Sequence, residues 1–275
     1  MKPPSFDYVR ATTLAEAHAV LAAEGNAAQI VAGGQTLLPL LSMRLARPKV
    51  LVDIMRLGEL TRLQEADGEI HVGAAVRQAD LLAFPGLAAR QRLLSAALPL
   101  VGHAQTRSRG TVCGSMAHAD PSAELPLVLV ALGGTVSLSS RRRRRTLAAE
   151  AFFKGAMATA RRQDELVAAV AFPTAKPGYG YAFREFARRH GDFAIVACAA
   201  VVTPSSTRLA VGGVADRPIA RDWGAVAEDA LDTALNELAY DLDAREDVHA
   251  TARFRRDLVR RLGRATIAEA RRCLV

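Results

Sequence analysis

The sequence predicts an α+β protein of two domains, and three observations carry that reading. They are a helix, strand, glycine-turn opening, a middle stretch of short apolar segments separated by turn residues, and a Pro- and Gly-rich junction followed by apolar strands and two helices. The spacing of Ala15, Ala17, Val20, Leu21 and Ala22 predicts a short helix over residues 14–23, and residues 27–32 read as an apolar strand ending at Gly33-Gly34. Residues 36–45 are helix-compatible up to Pro48, and residues 49–54 read as a second buried strand with Asp53 near its end. From about Leu57 small sheet elements are expected to dominate. Residues 69–72 precede a helix at 77–83, a longer helix follows at 87–97, residues 127–132 form an apolar run, and residues 135–138 alternate. Five consecutive arginines, 141–145, separate that strand from the next segment as a charged hairpin loop would. Pro and Gly cluster over residues 173–180, so the expected first domain is 1–175, with subdomains 1–55 and 56–175, and the second is 176–275. The second is expected to hold a segment at 179–187, strands at 193–202 and 208–214, and helices at 223–238 and 252–273.

A chain of 275 residues, 50% hydrophobic and 23% charged, has room for two or more cores, which argues against disorder. The opening residues lack a basic region followed by an apolar stretch, and no window approaches the roughly 18 apolar residues that span a bilayer. A cytoplasmic protein with no membrane span is therefore expected. Cys113, Cys198 and Cys273 have neither disulfide nor metal-cluster spacing, so any metal centre is expected on another chain. The net charge is +8, and the arginine tract supplies five of those units. With aromatics at 5% and none interleaved with the tract, the pattern of single-strand nucleic-acid binding is missing, and a solvated loop is the expected role.

Two segments carry chemistry. A double glycine directly after a buried strand lets backbone N–H groups approach an anion without a side chain in the way, and Gln35 and Thr36 add polar groups. Such a pair also serves as a plain tight turn, and the lysine of a phosphate loop and the third glycine of a dinucleotide fingerprint are absent. The second segment, residues 102–126, is polar and glycine-rich between apolar runs, a texture that a compact chain tolerates mainly in a functional loop.

Three stretches in order then carry a resemblance: Val31-Ala-Gly-Gly-Gln-Thr-Leu-Leu-Pro, Arg109-Gly-Thr-Val-Cys-Gly-Ser-Met-Ala-His-Ala-Asp-Pro-Ser-Ala-Glu-Leu-Pro, and Arg188-Arg-His-Gly-Asp-Phe-Ala. With Phe152-Phe-Lys-Gly and a helical tail they make nearly the whole chain similar to the FAD-binding medium subunits of molybdenum hydroxylases, the group that includes xanthine, carbon monoxide and heteroaromatic dehydrogenases. The resemblance implies a PCMH-type FAD-binding domain of two α/β subdomains followed by a C-terminal antiparallel sheet with helices. It also implies that the FAD diphosphate is held by Ala32, Gly33, Gly34, Gln35 and Thr36 and by Thr111, Val112, Cys113, Gly114 and Ser115, with Leu37 a further cofactor-binding position. Gly102, Glu124, Leu166, Val167, Arg184, Asp192 and Phe193 take the remaining cofactor positions, Phe193 as an aromatic beside the isoalloxazine ring. The implied partners are a small [2Fe–2S] subunit and a large molybdopterin subunit, assembled as a dimer of heterotrimers that passes electrons to an external acceptor.

The residues taken alone leave alternatives open. Glu124 also suits a helix N-terminus, Arg184 a solvated strand, and Phe193 the core at a strand start. His118 and His190 have no nucleophile or carboxylate constellation around them and are not assigned to catalysis. The second loop departs from the family's usual Thr-Ile-Gly-Gly-Asn at Cys113 and Ser115. If the replaced glycine has positive φ, Cys113 is strained by about 1–3 kcal/mol and FAD retention is weakened. A stand-alone flavin oxidase and an assembly subunit that has lost FAD are the competing functions.

Overall fold

The computed structural model describes residues 2–274. Its first unit is a three-stranded parallel sheet in the order β1 (Asp7–Arg10), β3 (Val50–Asp53), β2 (Ala28–Val31). Helix α1 (Leu14–Glu24) begins where Thr13 Oγ1 accepts the Glu16 N–H at 3.1 Å and the Glu16 carboxylate accepts the Thr12 N–H at 2.7 Å. These bonds satisfy helix N-terminal donors that would otherwise be orphaned. Parallel strands need a crossover, so α1 carries the chain from the end of β1 back to the start of β2. After β2 comes the glycine turn, then α2 (Leu37–Ser42), shorter at both ends than the expected 36–45.

The second unit is an antiparallel sheet in the order β4 (Leu63–Ala66), β5 (Glu69–Gly73), β10 (Leu166–Pro173), β6 (Thr135–Ser139), β7 (Arg144–Ala148). Between β5 and β6 the sequence reading is corrected, because sheet elements do not dominate there. The chain instead forms α3 (Gln78–Leu82), α4 (Leu87–Arg90), α5 (Arg92–Ala97), α6 (Ala104–Arg107), α7 (Val112–His118) and α8 (Glu124–Ala131). The run at 127–132 belongs to α8, whose eight residues are all buried, so it shows no polar face by which periodicity could mark it. The single helix expected at 87–97 is broken at Gln91, which adopts φ −157°. Its buried amide accepts the Leu93 N–H at 3.2 Å and donates to Pro173 O at 2.8 Å, capping α5 and tying it to the end of β10. The short α9 (Ala149–Phe152) and the hairpin β8 (Phe153–Gly155), β9 (Ala158–Thr159) lie between β7 and β10.

The arginine tract is divided by the structure. Arg141 to Arg143 lie in an exposed turn, whereas Arg144 and Arg145 are the first residues of β7. Arg145 turns inward to a two-pronged pair with the buried Glu165, Nε to Oε1 at 2.7 Å and Nη2 to Oε2 at 2.8 Å.

The C-terminal unit is an antiparallel meander, β11 (Gly180–Phe186), β12 (Val196–Thr203), β13 (Ser206–Gly212), β14 (Ile219–Gly224), with α10 (Leu231–Asp241) and α11 (Ala252–Arg272) on one face. Alternation along β11 sends Tyr181 and Phe183 into the core shared with the first domain and Ala182 into the helix-side core. Two expectations fail here. Trp223 lies in an edge strand instead of starting a helix, pairing opposite Thr207, and β12 begins at Val196, leaving Phe193 in the preceding loop. Helix α11 rests on backbone at Gly180, where an added Cβ would lie 2.8 Å from Ala270 C. Among the described residues no helix is long and apolar enough to cross a membrane.

Candidate functional site

Residues 32–34 leave β2 as a half-buried turn, with Gly34 at φ 70°, a conformation open to glycine at little cost. Gly34 O accepts the Leu38 N–H at 3.0 Å, and Gln35 Nε2 donates to Gly33 O at 3.3 Å. The N–H groups of Gly34, Gln35 and Thr36 donate to no protein acceptor among the described residues. Such a row of free donors suits an anionic oxygen.

The second loop is built against strand β5 and helix α3. Gly110 O accepts the Gln78 N–H at 2.8 Å and Val76 O accepts the Val112 N–H at 3.1 Å, so the chain enters α7 from a fixed direction. Thr111, buried, caps α7 by accepting the Gly114 N–H at 3.1 Å. An added Cβ on Gly114 would lie 2.6 Å from that same Thr111 oxygen. Cys113 sits within the first turn of α7 and is not among the positive-φ residues. The condition for strain is therefore unmet. Its thiol is buried, contacts Val72 O at 3.4 Å, and is pushed far up from the ordinary range by burial. Cys113→Gly is accordingly expected to cost about 1 kcal/mol of helix stability without improving FAD retention. Melting temperature and the flavin-to-protein absorbance ratio check this, and tighter flavin binding in the variant would contradict it.

The two loops lie back to back. An added Cβ on Gly33 would run into Arg109 O and would lie 2.7 Å from the Gly110 Cα. Gly102, at φ 51°, is held by Arg107, whose Nη1 donates to Val101 O and Gly102 O, both at 3.0 Å. The loop before β12 reaches the same place. Gly191 has so little room that a Cβ would lie 2.6 Å from the His103 ring, and the rings of His103 and His190 stack with centroids 6.3 Å apart. Asp192 is half-buried beside it and Phe193 is 60% exposed. The structure thus packs Gly33 on Arg109 and Gly110, at the entry to α7, and Gly191 on His103, next to Gly102.

The remaining candidates sit differently. Glu124 is the first residue of α8 and 3% exposed; burial pushes its carboxyl up to about 8, with the like charges of Glu185 and Asp120 adding to the shift. Leu166 and Val167 are buried at the start of β10, opposite Ser139 and Leu138. Arg184 projects to the helix side of the meander, where its Nε donates to Glu269 Oε2 of α11 at 2.9 Å. His103, Arg107, Gln78 and Glu185 were not found from sequence. The glycines beside them are visible in the sequence, but their packing against side chains comes only from the fold. Among the described residues no group of three or more His, Cys, Asp or Glu is placed to hold a metal ion.

A glycine turn after a parallel sheet packs on the loop that enters α7, and an antiparallel meander follows. Residues 4–175 match the family described as the FAD binding domain in molybdopterin dehydrogenase, and residues 181–270 match the CO dehydrogenase flavoprotein C-terminal domain. The chain belongs to this family of oxidoreductase flavoproteins. It is 36% identical to the nicotine 6-hydroxylase medium subunit of Paenarthrobacter nicotinovorans, over 98% of this chain and 99% of that one. It is 32% identical to the carbon monoxide dehydrogenase medium chain of Hydrogenophaga pseudoflava, over 93% of each. Among solved structures, reconstituted CO dehydrogenase from Oligotropha carboxidovorans superposes with a TM-score of 0.94 at 30% identity, covering 99% of this chain and 100% of that one. Quinoline 2-oxidoreductase from Pseudomonas putida 86 superposes at 0.91 with 33% identity over the full length of both chains.

Proposed function

We propose that this chain holds FAD as the terminal redox centre of a molybdenum hydroxylase complex, receiving electrons from the [2Fe–2S] clusters of a small subunit and passing them to an external acceptor. The observation that supports the reading is the back-to-back packing of the two loops, Gly33 against Arg109 O and the Gly110 Cα, with the N–H groups of residues 34–36 left without a protein acceptor. A diphosphate fits such a cradle, because paired donors and a helix N-terminus both favour negative charge. Residues 32–36 and 111–115 would hold the diphosphate, with Leu37 beside them. Gly102, Glu124, Leu166, Val167 and Asp192 would line the rest of the cofactor, and Phe193 would limit access of water and oxygen to the flavin. Arg184, bound to Glu269, would have to exchange that partner to reach it. Bound FAD would supply the conversion between one-electron and two-electron transfer. In this reading residues 1–175 bind the cofactor, residues 176–275 close over it, a large molybdopterin subunit oxidises the substrate, and the assembly is a cytoplasmic dimer of heterotrimers.

The test is to purify the chain with its native partners and measure flavin, iron and molybdenum per complex. Flavin stoichiometric with this chain, reduced when substrate or dithionite is added, is the expected result. A complex that carries iron and molybdenum but no flavin overturns the proposal.

A further inference from the structure

Arg141 to Arg144 line a recess of about 480 Å³ that contains none of the residues assigned to the cofactor. Helix α1 supplies part of its wall, with His18 in it, and the β6–β7 hairpin supplies Ser140 beside the arginines. Glu59, between β3 and β4, is the only carboxylate on the lining. The hairpin tip is fixed by its own hydrogen bonds: the Ser140 N–H donates to Arg143 O at 2.8 Å, and Ser140 Oγ accepts the Arg143 N–H at 3.3 Å. His18, 6% exposed, meets Ser139 Oγ through Nε2 at 3.0 Å, which ties the hairpin to α1. Arg145 is engaged by Glu165, whereas the other four arginines make no ion pair and no side-chain hydrogen bond among the described residues. Burial, and then the charge of Arg144, hold the His18 imidazole below its ordinary range, so the arginines alone make the recess positive near neutral pH.

A loop rich in one charge is ordinarily just a solvated surface. Two features set this one apart. Its guanidiniums spring from a turn that hydrogen bonds hold in place, and they border a recess whose other wall is a helix bonded to the same hairpin. Four like charges on one short turn repel each other, and a bound anion relieves that repulsion. Guanidinium forks match the oxygens of a phosphate, two at a time. A volume of about 480 Å³ suits a small molecule, since such sites span roughly 300–1,000 Å³. A flat acidic protein face would meet the exposed arginines and leave the recess unfilled. We propose that the recess between α1 and the β6–β7 hairpin is a binding site for a compact phosphate-bearing small molecule, held by Arg141 to Arg144. Ser140 and the neutral His18 ring offer it uncharged polar groups. The phosphates are those of a free polyphosphate or of a nucleotide, and the chemistry that recognises them is the same. The site is independent of the FAD loops.

The experiment is calorimetric titration of the full chain with inorganic pyrophosphate at constant ionic strength, with and without added FAD. Saturable binding to a single site, unchanged by FAD, is the expected result. Arg141→Ser combined with Arg142→Ser should weaken it by roughly tenfold or more, the loss of charge-assisted contacts. Arg253→Ser combined with Arg261→Ser removes the same charge from exposed positions on α11 and should shift the affinity by no more than about twofold. Melting temperatures confirm that both double variants are folded. Adenosine diphosphate in place of pyrophosphate separates the two sources: equal affinity assigns the site to phosphates alone, and tighter binding assigns it to a nucleotide. No saturable binding overturns the inference, as does an equal loss in both double variants, the mark of diffuse charge. Pyrophosphate that FAD displaces and that the Arg141 and Arg142 substitutions do not affect belongs to the cofactor loops, which overturns it while supporting the FAD reading. A single-stranded oligonucleotide that binds where pyrophosphate does not overturns it in favour of a nucleic-acid surface.

Discussion

Replacing Gly33 by alanine is expected to strip FAD from the chain while leaving its sheets folded. The glycine faces backbone, Arg109 O and the Gly110 Cα, so no side-chain rotation can make room for a methyl group. The two loops must separate. Forced overpacking of this kind costs about 1–3 kcal/mol, which at a site whose donors must converge on one diphosphate corresponds to roughly a ten- to hundredfold loss of affinity. The flavin-to-protein absorbance ratio after gel filtration reads the effect. Gly58→Ala serves as control, since a Cβ there meets nothing within 4 Å. A Gly33→Ala chain that elutes with full flavin would mean that the cradle does not depend on this approach.

The second large effect is on stability and comes from one arginine of the tract. Glu165 is 2% exposed, and both its oxygens are engaged: Arg145 approaches with two nitrogens, and the Arg162 N–H donates at 2.7 Å. Arg145 also donates to Ala160 O at 2.7 Å. Glu165→Ala leaves a guanidinium without its counter-charge, and breaking such a pair costs about 3 kcal/mol, or roughly 6–12 °C in melting temperature for a chain of this size. Arg142→Ser, in the exposed turn, should change stability by no more than about 0.5 kcal/mol. Hydrogen bonding from Arg145 holds the Glu165 carboxyl below its ordinary range. That contribution is present above the ordinary carboxylate range and is lost as pH falls through the lowered value. Equal melting temperatures for the two variants would show that the pair contributes nothing.

How much of this was legible in the sequence depends on what each signal measures. Helix α1 and the strand before Gly33 were readable because a half-buried helix and a strand ending in a glycine turn carry their boundaries locally. The helices between β5 and β6 were not, because α8 is buried on every side and Gln91 breaks α4 from α5 by making contacts with distant Pro173. Trp223 lies in a strand because β13 offers it an edge, a tertiary fact that outweighs its neighbours' helical spacing. The loops of the site were legible as glycines, and their functional meaning came from the resemblance. Arg145 was hidden, indistinguishable from four neighbours until β7 turned it toward Glu165.

The fit of Gly191 against the His103 ring has a consequence for how such chains can be recombined. The two positions belong to different halves of the sequence yet share one van der Waals surface, so they form a single unit of inheritance. A chimera joined near residue 176 that takes its tail from a relative with a larger residue at position 191 would carry a clash present in neither parent.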